Sequence, residues 1–473
     1  MRHLLILLLS ATVLSNPAFA VENTPPEKPL LDTESSDVKK TEPLVPAKES
    51  NATPPKETSA SEVKSTVLDP VRNASTLTLE TAIKRALAES PRLKGFNSSV
   101  AAAKGEQRQA GAWVNPEVGV EAENIAGKGA YKGFDSAEVT YGVTQEITIG
   151  GKISAREGIA DKGVEIASLD QQAATLDIIR DVTTAYAEAV AAEENVRLAT
   201  EQKELAEDVL KSVSVRVGAA AAPLIQKSRA EVERSTATIA LDKATRERDI
   251  TRKKLASLMG EENLTLPLDT AAFFTIVRPE LAALEEKLKV NPDLVKLSSS
   301  LEQSKARLDL EQANAIPDPR LSVGVRDFRD SGDQAFVVGV SLPIPVFNAN
   351  RGNIEKARHE VSRTEMDNRQ MALNTSAELT QAHERMANAY IQAETLKTEI
   401  LPSADKAFRL AREGYGSGRF PYLEVLDAQR SLFGVKQQRI EAIREFHSAK
   451  AQVERLTAIH LGSIKNTGQT HVE

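Results

Sequence analysis

Cysteine is absent from the 473-residue chain, and aromatic residues make up only 4% of it. Without cysteine there is no disulfide framework, no thiolate metal site, no nucleophilic thiol and no lipid-bearing cysteine. So few aromatic residues are unusual for a chain of this length that fills one large globular core, because aromatic side chains bury much of the apolar area there. Long helices that pack through Ala, Leu, Ile and Val explain this composition better.

The charge distribution and the motif content exclude several further classes of function. The formal net charge is -7 and the basic residues are scattered, so a nucleic-acid partner is not expected. No glycine-rich phosphate loop, nucleophile elbow or His-Glu zinc motif occurs. We therefore predict no enzymatic activity, no catalytic residue, no cofactor and no metal site. The histidines beyond the first twenty residues are scattered too: His359, His383, His447, His460 and His471.

The two ends of the chain differ in composition from the rest. Residues 1–20 carry one arginine, an apolar stretch from Leu4 to Leu14 and a final Ala18-Phe19-Ala20 triplet. That stretch is shorter than the roughly 20 residues that a transmembrane helix needs, so we predict a signal peptide and export. Residues 21–76 contain eight prolines and no aromatic residue, which predicts a disordered leader. Residues 462–473 are expected to form a flexible tail.

Between these ends the sequence contains a repeat with an offset near 200 residues. Each half, 77–277 and 278–461, has the order helix, strand, strand, long helix, turn, helix. The matching pairs are Glu89-Ser90-Pro91-Arg92-Leu93 with Val290-Asn291-Pro292-Asp293-Leu294, Asn115-Pro116 with Asp318-Pro319, Gly142-Val143-Thr144 with Gly339-Val340-Ser341, and the turn ending at Pro223 with the turn ending at Pro421.

Four segments show the alternation of apolar and polar residues that is typical of strands. The two long ones run from Val139 to Ile149 and from Phe336 to Val346, and their partners are 118–122 and 321–325. The alternation fits a membrane barrel strand, apolar to lipid and polar to the lumen, and equally a half-buried strand of a soluble sheet. Pro343 and Pro345 lie near a strand end, where a missing ladder bond is tolerable.

The helical pattern favours the barrel. An uninterrupted helix over 153–217 would be about 100 Å long, and its counterpart over 353–413 is nearly as long, with a kink expected at Pro402. Two such helices cannot wrap a compact core. Four strands cannot close a barrel, and an open sheet edge cannot face lipid, so several chains are needed. Two chains give a filled eight-stranded barrel, whereas three leave room for water, which favours a homotrimer.

The residues in this plan resemble a known family. The doubled pattern resembles the TolC-type outer membrane efflux proteins over about residues 77–459. The segment from Ile147 to Lys152 is most similar to the branch that serves heavy-metal pumps of the cobalt-zinc-cadmium kind. The motifs that carry the resemblance are Asn115-Pro116, Gln145-Glu146-Ile147-Thr148-Ile149-Gly150-Gly151-Lys152, Tyr415-Gly416-Ser417-Gly418 and Tyr422-Leu423-Glu424-Val425-Leu426-Asp427-Ala428-Gln429.

The resemblance implies a mainly α fold with membrane β-structure. Each duplicated protomer would contribute four strands to a trimeric 12-stranded β-barrel in the outer membrane, and its long helices would form an α-barrel in the periplasm. The protein would be the passive exit duct of a tripartite efflux system, with divalent heavy-metal cations as one candidate solute. Its implied partners are two further copies, outer membrane lipid, a periplasmic adaptor protein and an inner-membrane resistance-nodulation-division pump.

The same resemblance assigns roles to the two turns, 218–223 and 414–421. Glu424 and Asp427, three residues apart on one helix face, would line a periplasmic constriction, where three chains supply six carboxylates that favour cations. A solvated helix face is the alternative interpretation. Tyr415 would tie the inner helices closed through a polar residue near the end of the long first-repeat helix, or would simply pack. The expected adaptor contacts are Gly218, Ala219, Ala220, Gly416, Gly418 and Pro421, with the glycines expected at left-handed turn positions.

Two other functions are compatible with parts of the sequence. A type I secretion channel for polypeptides would use the same trimeric tube. A soluble periplasmic coiled-coil scaffold would explain the helices, but it would not explain four alternating strands in two matching pairs. Membrane fractionation distinguishes the scaffold from the two channels.

Overall fold

The computed structural model describes residues 76–280 and 284–461. The predicted signal peptide (1–20), almost all of the predicted leader (21–76) and the predicted tail (462–473) lie outside the described residues. In the described part, the two halves follow the same order of elements, which confirms the duplicated plan. None of the helices in these two ranges is both long enough and apolar enough to cross a membrane.

The first half begins with two short helices and ends with a long antiparallel pair. Its elements are α1 (Leu79–Glu89), α2 (Pro91–Ala110), β1 (Glu117–Glu123), β2 (Glu138–Glu146), α3 (Lys152–Gly218) and α4 (Leu224–Leu258). The second half has α5 (Leu284–Leu288), α6 (Pro292–Ala313), β3 (Arg320–Phe328), β4 (Gln334–Ser341), α7 (Arg351–Thr395), α8 (Leu401–Gly416) and α9 (Tyr422–Leu456).

The helices that lead into each strand pair begin at matching caps. Ser90 and Asn291 are the N-cap residues of α2 and α6, and a proline follows each of them at the first helical position. Asn291 Oδ1 accepts a hydrogen bond from the Asp293 backbone N–H at 2.8 Å. Proline suits this position because its missing N–H would have no partner in the first turn. The repeated Ser/Asn-Pro pair therefore fixes the same helix start in both halves.

The first long helix is continuous and the second is interrupted, as predicted. α3 runs for 67 residues, which is about 100 Å of helix. Its counterpart is divided into α7 and α8 by one π-helical turn, Leu396–Ile400, which ends two residues before Pro402. Proline cannot donate to the carbonyl of Thr398, four residues back, so the regular hydrogen-bond ladder fails there.

The four strands form one antiparallel sheet in the order β1-β2-β3-β4. Its register places apolar residues on one face and polar residues on the other. Two transverse rows on the apolar face are Val118, Val143, Val323, Val338 and Val120, Tyr141, Val325, Phe336. Most of these side chains are exposed, with Phe336 at 87% and Val118 at 81%. Because β1 and β4 each have one neighbouring strand, both outer edges of the sheet are open within the described part of the chain.

The two long strands end sooner than the alternation predicts. β2 ends at Glu146 rather than Ile149, and β4 ends at Ser341 rather than Val346. In β4 the cause is Pro343, which has no N–H to continue the ladder. After β2 the chain stays hydrogen-bonded, but in an irregular way, because Ile149 N donates to the side chain of Asp318 at 2.9 Å.

A salt bridge fixes the turn from β2 into α3. Lys152 Nζ lies 2.6 Å from Asp318 Oδ2 and donates to the carbonyl of Ile316 at 2.6 Å. Gly150 and Gly151 adopt φ of 73° and 78°, which glycine accepts without strain. A Cβ on Gly150 would also lie 2.9 Å from the side chain of Ile316. The Gly-Gly-Lys motif therefore joins the end of β2 to the loop before β3.

Small residues fill much of the helical core. The buried side of α3 includes seven alanines between residues 173 and 192, and this side packs against α1, α4 and α9. Small side chains let helices pack closely, so the core needs few aromatic residues. A separate apolar cluster joins the ends of α3 and α4 to α8 and α9. This second cluster positions the candidate site.

Candidate functional site

Two helix-to-helix turns form the candidate site, one between α3 and α4 and the other between α8 and α9. Both turns end in a proline, Pro223 or Pro421, that serves as the N-cap of the next helix. Each turn also has a backbone bond to a carbonyl five residues back, from Ala221 N to Arg216 O and from Arg419 N to Gly414 O, both at 2.8 Å. The two turns are therefore structural counterparts.

In each turn, the residue with a left-handed backbone lies two residues beyond the glycine that ends the preceding helix. Gly418 has a φ of 75°, as predicted. Gly218 and Gly416 are the last residues of α3 and α8 and have no positive φ, so that prediction is wrong for both. In the first turn Ala220 takes the left-handed position, with a φ of 56°. The carbonyls that need capping lie before the helix end, which places the left-handed residue beyond Gly218.

The two turns are held together by an apolar cluster. Tyr415 and Tyr422 lie at its centre with their ring centroids 5.7 Å apart. Val213 of α3 and Ala230 of α4 pack into the same cluster, so residues of both halves contribute to it. Phe420 covers Gly414 so closely that a Cβ there would lie 2.1 Å from a ring carbon. A side chain at residue 414 would therefore require the ring of Phe420 to move.

Tyr415 forms hydrogen bonds with both long helices of the first half, α3 and α4. Its hydroxyl donates to Gln226 Oε1 at 3.1 Å, and its backbone carbonyl accepts from Arg216 Nη1 at 2.7 Å. The guanidinium carbon of Arg216 also lies 4.5 Å from the centre of the Tyr415 ring. Burial raises the pKa of Tyr415, and the charge of Arg216 opposes that shift. The predicted hydroxyl partner near the end of α3 is wrong, because Gln226 belongs to α4; Arg216 of α3 contacts the ring and the carbonyl.

A second polar contact crosses from α9 to α4. Arg430 Nη2 donates to Glu233 Oε2 at 2.8 Å, and the Glu233 carboxylate is buried, with 6% of its side chain exposed. Burial and then the nearby Glu233 charge raise the pKa of Tyr422 to about 12, so its hydroxyl stays protonated near neutral pH. Together with Tyr415–Gln226, this ion pair ties the α8–α9 turn to α4.

Glu424 and Asp427 lie in the first two turns of α9, and both are exposed. In the described part of the chain, neither carboxylate has a hydrogen bond or an ion pair of 4 Å or less. The inward neighbours Val425 and Leu426 are buried in the cluster. The structure therefore presents the two carboxylates on the outer side of the helix within a single chain.

All six predicted tip-contact residues are exposed: Gly218, Ala219, Ala220, Gly416, Gly418 and Pro421. Sequence reasoning missed the residues that connect the turns, namely Arg216, Gln226, Glu233, Gly414 and Arg430. Arg216, Gln226, Glu233 and Arg430 contact helices that are distant in sequence, so no local motif marks them. Gly414 differs, because its close contact is with Phe420, only six residues later.

The histidines in the described part of the chain include two that contact neighbouring side chains. His447 is stacked on Phe273 with ring centroids 5.3 Å apart, and His460 pairs with Glu454 at 3.2 Å. Within residues 76–280 and 284–461, no three His, Asp or Glu residues form a group that could hold a metal ion. His471 lies outside that part of the chain.

The sequence is similar to known proteins in two segments, one in each half of the repeat. The sequence model described as "Outer membrane efflux protein" matches residues 82–261 and 283–458. These ranges correspond to the two halves of the chain and make up most of its length. The matched family is a transport family, not a family of enzymes.

Individual relatives extend the similarity. The chain is 26% identical over 388 residues to the cobalt-zinc-cadmium resistance protein CzcC of Cupriavidus metallidurans, which covers 82% of this chain and 91% of the relative. It is 27% identical over 282 residues to the nickel and cobalt resistance protein CnrC of the same species, and this match covers 59% of this chain and 66% of CnrC. A crystal structure of CusC matches with a TM-score of 0.70 and 19% identity over 80% of this chain and 91% of that chain.

Proposed function

Because this chain belongs to the outer membrane efflux protein family, we propose that it is the exit channel of a tripartite pump that exports divalent heavy-metal cations. The observation that carries the choice of solute is the similarity to CzcC over 91% of that protein's length. The name of CzcC places it in resistance to cobalt, zinc and cadmium. The similarity to CnrC, a nickel and cobalt resistance protein, supports the same class of cation.

A homotrimer is the assembly that the sheet favours. The apolar face is exposed and both sheet edges are open. In lipid, the backbone N–H and C=O groups along the outer edges of β1 and β4 would therefore have no hydrogen-bond partners in a single chain. Three copies would supply twelve strands and enclose a water-filled lumen. In that assembly the exposed valine rows face lipid, and the polar face lines the lumen.

The long helices also carry surfaces that fit neighbouring copies. On α4, Ile225, Val232 and Ile239 repeat every seven residues and are 57%, 63% and 69% exposed. A heptad stripe of exposed apolar residues is typical of a helix that packs against another helix. Three copies would bury this stripe in the wall of a helical tube in the periplasm.

The polar face of the sheet carries more acidic than basic residues. Its arginines, Arg320 and Arg326, are both paired with glutamates. Glu117 and Glu121, on the same face, are exposed and have no ion pair in the described part of the chain. An acidic lining of this kind raises the local concentration of cations.

At the other end, we assign the periplasmic constriction to Glu424, Asp427 and Tyr415. Three copies would place six carboxylates around the axis, and the bonds of Tyr415 to Gln226 and Arg216 would hold the turns in the closed arrangement. The exposed tips at Gly218, Ala219, Ala220, Gly416, Gly418 and Pro421 would contact a periplasmic adaptor. An inner-membrane pump of the resistance-nodulation-division class would supply the solute.

Deletion of the gene tests this function. The strain is grown on zinc, cobalt, cadmium and copper and on a panel of drugs and detergents. Sensitivity confined to divalent metals, restored by the wild-type gene, is the expected result. Unchanged resistance to every compound together with lost export of a polypeptide would contradict the metal proposal and favour type I secretion.

A further inference from the structure

The junction between β2 and β3 offers a template for a contact between copies. At this junction the end of one strand meets the start of the next. Ile147 N donates to Pro319 O at 2.9 Å, and Lys152 Nζ donates to Asp318 Oδ2 and to Ile316 O. These bonds join the first residue of a long helix to the loop that precedes the neighbouring strand.

The duplication supplies a second set of the same groups. Arg351 corresponds to Lys152, because each is the first residue of its long helix and follows a left-handed N-cap, Asn350 or Gly151. Asn115-Pro116 corresponds to Asp318-Pro319, and Trp113 then stands where Ile316 stands.

This second set is not joined within the chain. Arg351 and Asn115 are exposed, and neither side chain has a hydrogen bond or an ion pair with any other described residue. Trp113 is 63% exposed and Phe347 is entirely exposed. The reason is topological: the second set lies just before β1 and just after β4, which are the two edge strands of the sheet.

The direction of the strands makes a match between copies possible. Because all neighbouring strands are antiparallel, the C-terminal end of β4 and the N-terminal start of β1 lie at the same end of the sheet. When β4 of one copy pairs with β1 of the next, residues 342–351 therefore meet residues 113–116 of that neighbour. The pairing repeats the β2–β3 arrangement.

We propose that the Arg351 guanidinium of one copy binds the neighbouring copy by donating hydrogen bonds to the side-chain oxygen of that copy's Asn115 and to the carbonyl oxygen of its Trp113. This inference rests on the trimer of the proposed function. The neighbour's Asn115 offers a neutral amide where Asp318 offers a carboxylate, so a guanidinium with several donors replaces the single ammonium of Lys152. Phe347 and Trp113 bury their exposed rings at the same contact.

The two prolines after β4 agree with this arrangement. Pro343 and Pro345 have no N–H, but Ile344 between them does, and Ile344 corresponds to Ile147. Its N–H is therefore available to Pro116 O of the neighbouring copy. The connection from Ser341 to Arg351 is two residues longer than the connection from Thr144 to Lys152. A tight turn, in which Val346 N donates to Ile344 O at 2.8 Å, takes up part of this extra length.

Cysteine cross-linking tests the contact directly, because the natural chain has no cysteine. The double variant Asn115→Cys with Arg351→Cys is assembled in membranes and treated with a short bifunctional maleimide. We expect covalent dimers and trimers on a denaturing gel. The distance control is Asn115→Cys with Arg358→Cys, because Arg358 lies about 10 Å farther along α7 on the same face. Lys152→Cys with Asp318→Cys is the internal control and should cross-link within one chain.

The charge of the contact is tested separately. Arg351→Glu should lower the temperature at which the detergent-solubilised trimer dissociates, and adding Asn115→Lys should restore it, whereas Arg358→Glu should leave it unchanged. A wild-type protein with the native mass of one chain would overturn the trimer and this contact together. The contact alone would be overturned by a wild-type trimer in which the double variant Asn115→Cys with Arg351→Cys does not join copies, or in which Asn115→Lys fails to rescue Arg351→Glu.

Discussion

Arg455 Nε lies 2.8 Å from Asp177 Oδ1, so the last helix of the second half is paired with the longest helix of the first half. Arg92 also pairs with Asp177, at 2.9 Å, and Asp293 pairs with Arg455, at 2.6 Å. Arg92 and Asp293 occupy matching positions after Pro91 and Pro292. The repeat thus places opposite charges at equivalent sites, and these charges form a chain of ion pairs that joins α2, α3, α9 and α6.

Removing one charge from this chain should destabilise the fold. Asp177→Asn leaves Arg455 without its carboxylate partner on α3, and only 10% of the Arg455 side chain is exposed. We expect a loss of about 2 kcal/mol in the free energy of unfolding, because a hydrogen bond between two charged groups is lost while Asp293 remains as a partner of the guanidinium. Lys84→Gln breaks the exposed Lys84–Glu80 pair and should change this free energy by less than about 0.5 kcal/mol. Thermal melts followed by circular dichroism would contradict the prediction if the two variants melted alike.

The two glycines of the second turn should respond oppositely to alanine. Gly418→Ala places a side chain at a φ of 75° and should destabilise the turn by about 1 kcal/mol. Gly416→Ala, at a helical position, should stabilise it by about 0.5 kcal/mol. A Cβ at either glycine meets no atom within 4 Å, so only backbone conformation differs. Hydrogen exchange of the turn amides measures the difference, and equal exchange in both variants would refute this explanation.

Loss of the Tyr415 hydroxyl should make the closed arrangement less stable. Tyr415→Phe removes the bond to Gln226 but keeps the ring over Arg216. A neutral hydrogen bond contributes about 1 kcal/mol, so the open fraction should rise about fivefold in single-channel recordings. Tyr390→Phe is the matched control, because its hydroxyl has no hydrogen bond within the described residues. An unchanged open fraction in Tyr415→Phe would argue that this tyrosine only packs.

The sequence allows much of the fold to be predicted, because periodic patterns are local. The period of apolar residues located the long helices and four strands, and Pro402 marked the interruption between α7 and α8. Strand ends were less predictable: the alternation continues beyond Ser341, but Pro343 stops the ladder.

The contacts of the site could not be predicted for a different reason. Tyr415 and Gln226 are 189 residues apart, and Lys152 and Asp318 are 166 apart. Such pairs depend on how the two halves dock, which no local pattern records. The left-handed residue Ala220 was also missed, because alanine gives no turn signal and Gly218 gave a misleading one.

His447 should make the fold less stable in acid. Burial lowers its pKa, and its Nε2 lies 2.8 Å from the carbonyl oxygen of Phe273. Below pH about 6.5 the unfolded chain takes up a proton that the folded chain does not, so stability falls by at most about 1.4 kcal/mol per pH unit. His447→Gln should flatten this part of the curve in melts between pH 7.5 and pH 5.5. The raised pKa of His460, caused by Glu454, acts in the opposite direction and remains in both proteins.

The acidic pair on α9 provides the sharpest test of the constriction. Glu424→Ala with Asp427→Ala removes two exposed carboxylates per chain, and therefore six from a trimer. If they surround the narrowest part of the lumen, cations lose their local enrichment, and both cation selectivity and block by divalent cations should fall. Planar-bilayer recordings at low ionic strength measure both quantities, because salt screens the effect.

The matched control for this test is Glu204→Ala with Asp208→Ala, which removes the same charge from exposed positions on α3 roughly 15 to 20 Å from the turn. Selectivity that falls only in the α9 variant supports the constriction, because distance from the turn is then the deciding difference. If the two variants behave alike, or if neither changes selectivity, Glu424 and Asp427 belong to a solvated helix face. In that case the acidic face of the sheet, with Glu117 and Glu121, becomes the remaining source of cation preference in this chain.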